Sequence, residues 1–120
     1  MANNNGYIYI RRIKQYDEYG ICKLGKITNI PITDILYNIC EYEKGYYEFI
    51  IEIQNDQLYN ETDVEELLQQ QFEKYRTLKY GGNDFYKIEI IDEIIPFLNT
   101  TNINFKVLTT EEIDNLYKNI

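Results

Sequence analysis

The side chains of this 120-residue chain that could do chemistry are its tyrosines, basic residues and carboxylates, because it contains no His. The lack of His excludes His-based nucleophile triads and metal sites with His ligands. Cys22 and Cys40 are the only cysteines and have no CxxC spacing, so we expect them to be reduced core residues. The Gly81-Gly82 pair follows a predicted helix, whereas a phosphate-binding glycine loop follows a strand. The sequence therefore offers neither a nucleotide-binding loop nor a Ser or Cys nucleophile.

The charged residues are unevenly distributed along the chain. The net charge is −8, with +3 over residues 1–33, −9 over 34–72, +2 over 73–87 and −4 over 88–120. This excess of acid argues against non-specific coating of nucleic acid. The first basic segment is where we expect any contact with DNA, through Arg11, Arg12, Lys14, Lys23 and Lys26. The alternative interpretation is a solvated surface on which the charges cluster by chance.

Four short motifs follow one another along the chain. They are Gly6-Tyr7-Ile8-Tyr9, Lys23-Leu24-Gly25-Lys26, Glu65-x-x-Leu68-x-x-x-Phe72 and Asn83-Asp84-Phe85-Tyr86. Their order and spacing resemble the GIY-YIG endonuclease superfamily, in the phage and large-virus branch often described as a DNA-binding domain. In that branch the first motif commonly reads G-[YFI]-[IV]-Y, and the second reads K-[IL]-G. The resemblance extends from Gly6 to about Leu98, which is most of the chain.

The resemblance implies phosphodiester hydrolysis with one divalent metal ion and DNA as the partner. Tyr9 matches the first-motif tyrosine, which would orient or help to deprotonate the attacking water. Lys23 takes the second-motif tyrosine position and would face the same water or a phosphate oxygen. Glu65 matches the carboxylate that holds the metal, expected to be Mg²⁺ (or Mn²⁺) with most of its waters retained.

One position departs from the family pattern. An arginine that steadies the scissile phosphate lies eight residues after the second-motif glycine, and this chain has Thr33 there. A hydroxyl cannot supply the charge or the bidentate fork of a guanidinium. The resemblance therefore implies either a metal-dependent DNA endonuclease or a DNA-binding module whose catalysis is degenerate.

Each motif residue also has a purely structural explanation. Tyr9 could pack in a sheet, and Lys23 could be a solvated strand lysine. Glu65 lies three residues after Thr62, which is a capping-box pattern, and Asp84 could cap a helix. The functional interpretation requires more than these local patterns: it predicts that Tyr9 and Glu65 face one cleft.

A second function class follows from the acidic middle of the chain. A non-enzymatic interaction protein could use residues 34–72 to bind a protein partner, as a virus-encoded inhibitor would. The composition is rich in Ile, Asn, Tyr and Lys, whose codons are AT-rich, which indicates a GC-poor genome such as that of many large DNA viruses. The excess of tyrosine is therefore weak evidence for function.

Hydropathy patterns predict the elements that must position these residues. We expect a β-hairpin from Gly6–Lys14 and Ile21–Thr28, and a strand over Tyr46–Gln54. Pro31 precedes either a short helix or a second hairpin. The remaining predicted elements are a helix over Asp63–Arg76, a helix from Asp84 to Leu98 ended or kinked by Pro96, a strand over Ile103–Leu108, and a helix from Thr110 capped by Thr109 and Glu112.

These elements predict an α+β fold of GIY-YIG type: a small antiparallel sheet that starts with a β-hairpin and is covered by helices. Residues 6–98 form the domain, and residues 99–120 extend it by a strand and a helix. No apolar run approaches the roughly 18 residues of a membrane span, and the first five residues are not a signal peptide. We therefore expect an intracellular protein, in host cytoplasm or a virion, without membrane contact.

Overall fold

The structure is a computed structural model that describes residues 5–13, 18–27, 45–55, 59–77 and 84–118. Within these ranges the chain is an α+β fold in which three helices pack against a five-stranded antiparallel sheet, as the sequence predicts. Several sequence predictions fall outside the described residues. They are those made for Lys14, Pro31, Thr33, Cys40, Gly81-Gly82 and Asn83.

The sheet is built on the predicted hairpin. Its strands are β1 (Gly6–Ile13), β2 (Ile21–Ile27), β3 (Gly45–Ile53), β4 (Phe85–Lys87) and β5 (Phe105–Val107). Their spatial order is β4-β2-β1-β3-β5, and every neighbouring pair is antiparallel. The predicted strand over Tyr46–Gln54 is confirmed as β3. Because β5 pairs with β3, the C-terminal strand belongs to the same sheet as the hairpin.

The helices are α1 (Glu61–Gln71), α2 (Ile91–Leu98) and α3 (Thr110–Lys118), with 3₁₀ turns at Glu73–Tyr75 and Ile88–Ile90. The helix predicted over Asp63–Arg76 is confirmed, although α1 starts two residues earlier and ends at Gln71, and the rest of the predicted helix contains the separate 3₁₀ turn at Glu73–Tyr75. The cap predicted for α3 is also confirmed. The backbone N–H of Glu112 donates to Thr109 Oγ1 at 3.1 Å, and that of Thr109 donates to Glu112 Oε1 at 3.0 Å.

The helix predicted to start at Asp84 is wrong in its first half. Residues Phe85–Lys87 form β4, which pairs with Ile21, Cys22 and Lys23 of β2. The aromatic residues of β4 suit a strand, and pairing along the edge of β2 outweighs the local helical pattern. Regular α-helix begins only at Ile91 and ends at Leu98, two residues after Pro96.

The sheet buries side chains on both of its faces. The first face carries Ile8 and Ile10 of β1 with Cys22 and Leu24 of β2, and α1 and α2 pack against it through Val64, Leu68, Ile94 and Leu98. The second face carries Tyr9, Ile27, Tyr47 and Ile50, with Leu108 and Ile113 of the C-terminal region packed against it. Side chains alternate along a strand, so residues 8 and 9 of β1 lie on opposite faces.

Two glycines of the hairpin allow close packing of larger side chains. Gly25 lies directly across the hairpin from Tyr9, and a Cβ atom there would overlap the end of the Tyr9 ring. Gly6 lies on the first face under Glu61, and a Cβ atom there would overlap the Glu61 side chain. The first and second motifs therefore supply glycines that the packing of this fold requires.

Candidate functional site

Glu65 lies on α1, but it does not belong to the N-terminal cap of that helix. The cap is Asn60, whose Oδ1 accepts a hydrogen bond from the backbone N–H of Asp63 at 2.9 Å. Asp63 Oδ2 in turn accepts a hydrogen bond from the backbone N–H of Asn60 at 3.2 Å. The capping box predicted for Thr62 and Glu65 is therefore wrong, since the capping pair lies two residues earlier. Capping does not explain Glu65.

Glu65 instead forms an ion pair with a lysine of the second motif. Lys26 Nζ lies 3.6 Å from Glu65 Oε1 and donates a hydrogen bond to Thr62 Oγ1 at 3.1 Å. The Glu65 side chain is only 15% exposed, so the pair lies in a partly desolvated position between β2 and α1. Residues 62 and 65 are one turn apart on α1, which is why both reach the same ammonium.

The pKa of Glu65 is raised although a lysine lies beside it. Burial of the carboxylate is the largest cause, the positive charge of Lys26 opposes it, and the negative charge of Asp84 adds to it. Asp84 was predicted to cap a helix, and this is wrong because it precedes β4 instead. Its carbonyl oxygen accepts a hydrogen bond from the backbone N–H of Leu24 at 2.9 Å, which places it beside β2.

Tyr9 lies on the second face of the sheet. Its ring packs edge-on against Tyr47, with centroids 5.5 Å apart and an interplanar angle of 85°, and it lies over Gly25. Only 5% of the residue is exposed. Tyr9 therefore has the packing role that a sheet position predicts for it.

The structure does not bring the three predicted catalytic residues into one cleft. Lys23 lies on the second face with Tyr9, half-buried and opposite Arg11 in the hairpin register. Glu65 and its partner Lys26 lie on the first face, because Lys26 alternates with Gly25 along β2. The sheet therefore separates Tyr9 from Glu65, contrary to the expectation that they face each other.

The predicted DNA contacts of the hairpin have different environments. Arg11 is fully buried, and its guanidinium lies over the Tyr47 ring at 5.0 Å from the centroid. The Arg11 side chain packs in the second-face core, which does not favour its predicted contact with DNA. Arg12 Nη1 donates to Glu48 Oε1 at 3.1 Å. Lys26 is paired with Glu65, and Lys23 is partly exposed.

The donors around Glu65 do not suit a divalent metal ion as they stand. Within the described ranges, no group of three Cys or acidic side chains is arranged to hold a metal ion. An ammonium lies beside the Glu65 carboxylate, and a second cation there would be repelled. The Mg²⁺ or Mn²⁺ expected from the resemblance therefore stays a prediction.

Sequence reasoning missed two groups near this ion pair. Thr62 is a ligand of the Lys26 ammonium rather than a cap. The hydroxyl of Tyr86, on β4, is fully buried and has no hydrogen-bond partner within the described part of the chain. Burial raises the pKa of Tyr86 to about 12. Its position in the fourth motif was the signal available, but only the pairing of β4 with β2 brings it into the first-face core.

No helix in the described ranges is long and apolar enough to cross a membrane.

Comparison with known proteins adds no relative. No family model, no curated protein and no solved structure matches this chain. The resemblance to the GIY-YIG superfamily therefore rests on the motifs alone.

Proposed function

We propose that this chain is a binding module with a GIY-YIG-like hairpin that does not hydrolyse phosphodiesters. One observation carries the proposal: Tyr9 and Glu65 lie on opposite faces of the sheet. A catalytic base and the carboxylate of a metal site must reach the same phosphate, within a few ångströms of one another. Side chains separated by a β-sheet do not meet that requirement.

The motif residues have structural roles that account for their types. Gly6 and Gly25 make room for Glu61 and Tyr9, and Glu65 binds the Lys26 ammonium. These contacts stabilise the hairpin and its packing against α1 without any bound substrate. Thr33 at the arginine position of the family pattern agrees with a module that has kept the fold and lost hydrolysis.

DNA is the first candidate partner, because the resemblance and the basic first segment both indicate it. Lys23 is the predicted contact that the experiment below tests, because its side chain is partly exposed on β2. A contact through one lysine gives weak binding, and the log of the affinity then falls by only about one unit per tenfold increase in salt concentration. The proposal therefore expects modest affinity for DNA with a shallow dependence on salt.

A protein is the second candidate partner, and the charges favour it. The net charge is −8, Arg11 is buried, and Arg12 and Lys26 are paired with glutamates. The outer side of α1 also has a shallow groove lined by Glu66, Gln69, Gln70, Glu73 and Arg76. Acidic and amide side chains at such a groove are suited to a basic partner segment.

The two candidates are separated by one set of measurements on the purified chain. Nicking of supercoiled plasmid is followed with Mg²⁺ and with Mn²⁺, and binding to a labelled duplex is followed by anisotropy over a salt series. Wild type is compared with Glu65→Ala, Lys23→Gln and, as a matched lysine control at the opposite edge of the sheet, Lys106→Gln.

The proposal expects no nicking by any of these proteins. If DNA is the partner, Lys23→Gln weakens binding and lowers the slope of log affinity against log salt by about one, whereas Lys106→Gln does not. No binding by wild type at low salt favours the protein partner. Nicking that Glu65→Ala abolishes would refute the proposal outright.

A further inference from the structure

We infer that the ammonium of Lys26 takes the position of a metal ion at Glu65, so that the wild-type chain does not bind a divalent cation there. This exclusion of a metal ion would hold for either class of partner. Glu65 is the expected metal ligand, yet its carboxylate contacts an ammonium group.

The first step is the set of groups around the ammonium. Lys26 Nζ has two oxygen neighbours from consecutive turns of α1: the Glu65 carboxylate at 3.6 Å and the Thr62 hydroxyl at 3.1 Å. A carboxylate and a hydroxyl are also ligands that a hard divalent cation takes. The ammonium therefore occupies the place that a metal ion bound by these two oxygens would need.

The second step is the burial of the negative charge at this place. The Glu65 side chain is only 15% exposed, so little water is available to solvate its carboxylate. The positive charge of Lys26 offsets the charge of this carboxylate. Without the lysine, the partly desolvated carboxylate would favour another cation.

The third step is that the lysine is held by the fold. Lys26 lies in β2 directly opposite Ile8, and its ammonium reaches Thr62 and Glu65 of α1. A tethered ammonium competes with a dissolved cation at a high effective concentration. A divalent ion must therefore displace a group that cannot diffuse away.

The test measures Mn²⁺ binding to the folded chain and to four variants. Free Mn²⁺ is counted by electron paramagnetic resonance, and bound Mn²⁺ is located by the broadening of the amide resonances of residues 62–66. The variants are Lys26→Met, Lys26→Arg, Lys26→Met/Glu65→Gln, and the control Lys106→Met. The control removes the lysine of another Lys–Glu pair, in which Lys106 Nζ lies 2.8 Å from Glu112.

We expect Lys26→Met to bind Mn²⁺ at least about tenfold more tightly than wild type, because a unit positive charge next to the site has been removed. The double variant, Lys26→Arg and Lys106→Met should bind as weakly as wild type. Thermal unfolding of each variant shows whether it is folded, and the broadening at residues 62–66 shows whether the bound ion lies at α1.

Three results would overturn the inference. If Mn²⁺ broadens the amide resonances of residues 62–66 as strongly in wild type as in Lys26→Met, the lysine does not exclude the metal. If Lys26→Met binds Mn²⁺ no more tightly than wild type, Lys26 and Glu65 form an ordinary ion pair that does not stand in for a metal ion. An equal gain in Lys106→Met would show a general effect of charge. If Lys26→Met does not fold, the single variant Glu65→Gln is also made and compared with wild type: equally weak Mn²⁺ binding by the two supports the inference, and tighter binding by wild type refutes it.

Discussion

Substitution of Gly25 by Ala tests whether the first and second motifs are joined by packing. The new Cβ atom would overlap the Cζ and hydroxyl atoms of Tyr9, whose ring is held against Tyr47 on the second face. Overpacking a filled core costs about 1–3 kcal/mol. Replacing a strand glycine by alanine stabilises the protein by about 0.5–1 kcal/mol, because it reduces the conformational entropy of the unfolded chain. We therefore expect Gly25→Ala to lower the free energy of unfolding by about 0–2.5 kcal/mol, which is the difference between these two effects.

The matched background is Tyr9→Leu, which removes the ring atoms that the new methyl group would meet. In that background Gly25→Ala should stabilise the protein by about 0.5–1 kcal/mol, so that the coupling between the two sites is about 1–3 kcal/mol. Urea unfolding followed by circular dichroism gives all four free energies. Equal effects of Gly25→Ala in both backgrounds would refute the packing argument for this glycine.

Three other predictions concern caps, pH and the buried arginine. Asn60→Ala should destabilise the protein by about 1 kcal/mol in urea unfolding, because the Asn60 side chain caps α1, and an unchanged free energy of unfolding would contradict this cap. Hydrogen bonds from the Lys106 ammonium and from the Thr109 backbone N–H lower the pKa of Glu112 from 4.5 to about 2. The ionised carboxylate of this cap therefore stabilises α3 fully above pH 4.5, and this stabilisation is lost as the pH falls toward 2. Glu112→Gln should therefore lose the difference in α3 amide-exchange protection between pH 6 and pH 3, and a variant that keeps it would contradict this assignment. Arg11→Lys should lower thermal stability more than Arg12→Lys, because only the first of these guanidinium groups is fully buried, over an aromatic ring; the opposite order would contradict the placement.

The hairpin and its neighbours were predictable because their signals are local. Alternating β-branched and aromatic residues in Gly6–Ile13 and Tyr46–Ile53 indicate strands without any information about the rest of the fold. The cap of α3 was predictable for the same reason, since Thr109 and Glu112 are the matching residues at that helix start. At α1 the pattern occurs twice, in Asn60–Asp63 and in Thr62–Glu65. The helix starts at Glu61, whose side chain packs over Gly6. The two residues are far apart in sequence, so the local pattern cannot show this contact.

The candidate site was less predictable, because its geometry depends on which face of the sheet each residue and each helix occupies. The motifs place Tyr9, Lys23 and Glu65 on the correct elements, but only the folded sheet assigns each residue to a face. Alternation predicts that Lys23 and Lys26 point to opposite faces, and it does not say which face α1 covers. Likewise, the local pattern predicts a helix start at Asp84. The pairing of β4 with β2 joins residues about 60 apart in sequence, so the local pattern cannot reveal it.

The central claim is the separation of Tyr9 from Glu65 by the sheet, and nuclear Overhauser effects measure it most directly. In the isotope-labelled chain, the Tyr9 ring protons should give cross-peaks to the Gly25 Hα protons and to the Tyr47 ring. The Glu65 Hγ protons should give cross-peaks to the Lys26 Hε protons and none to Tyr9. Cross-peaks between the Tyr9 ring and Glu65 Hγ would place both residues in one cleft and contradict the proposal that this chain binds without hydrolysis.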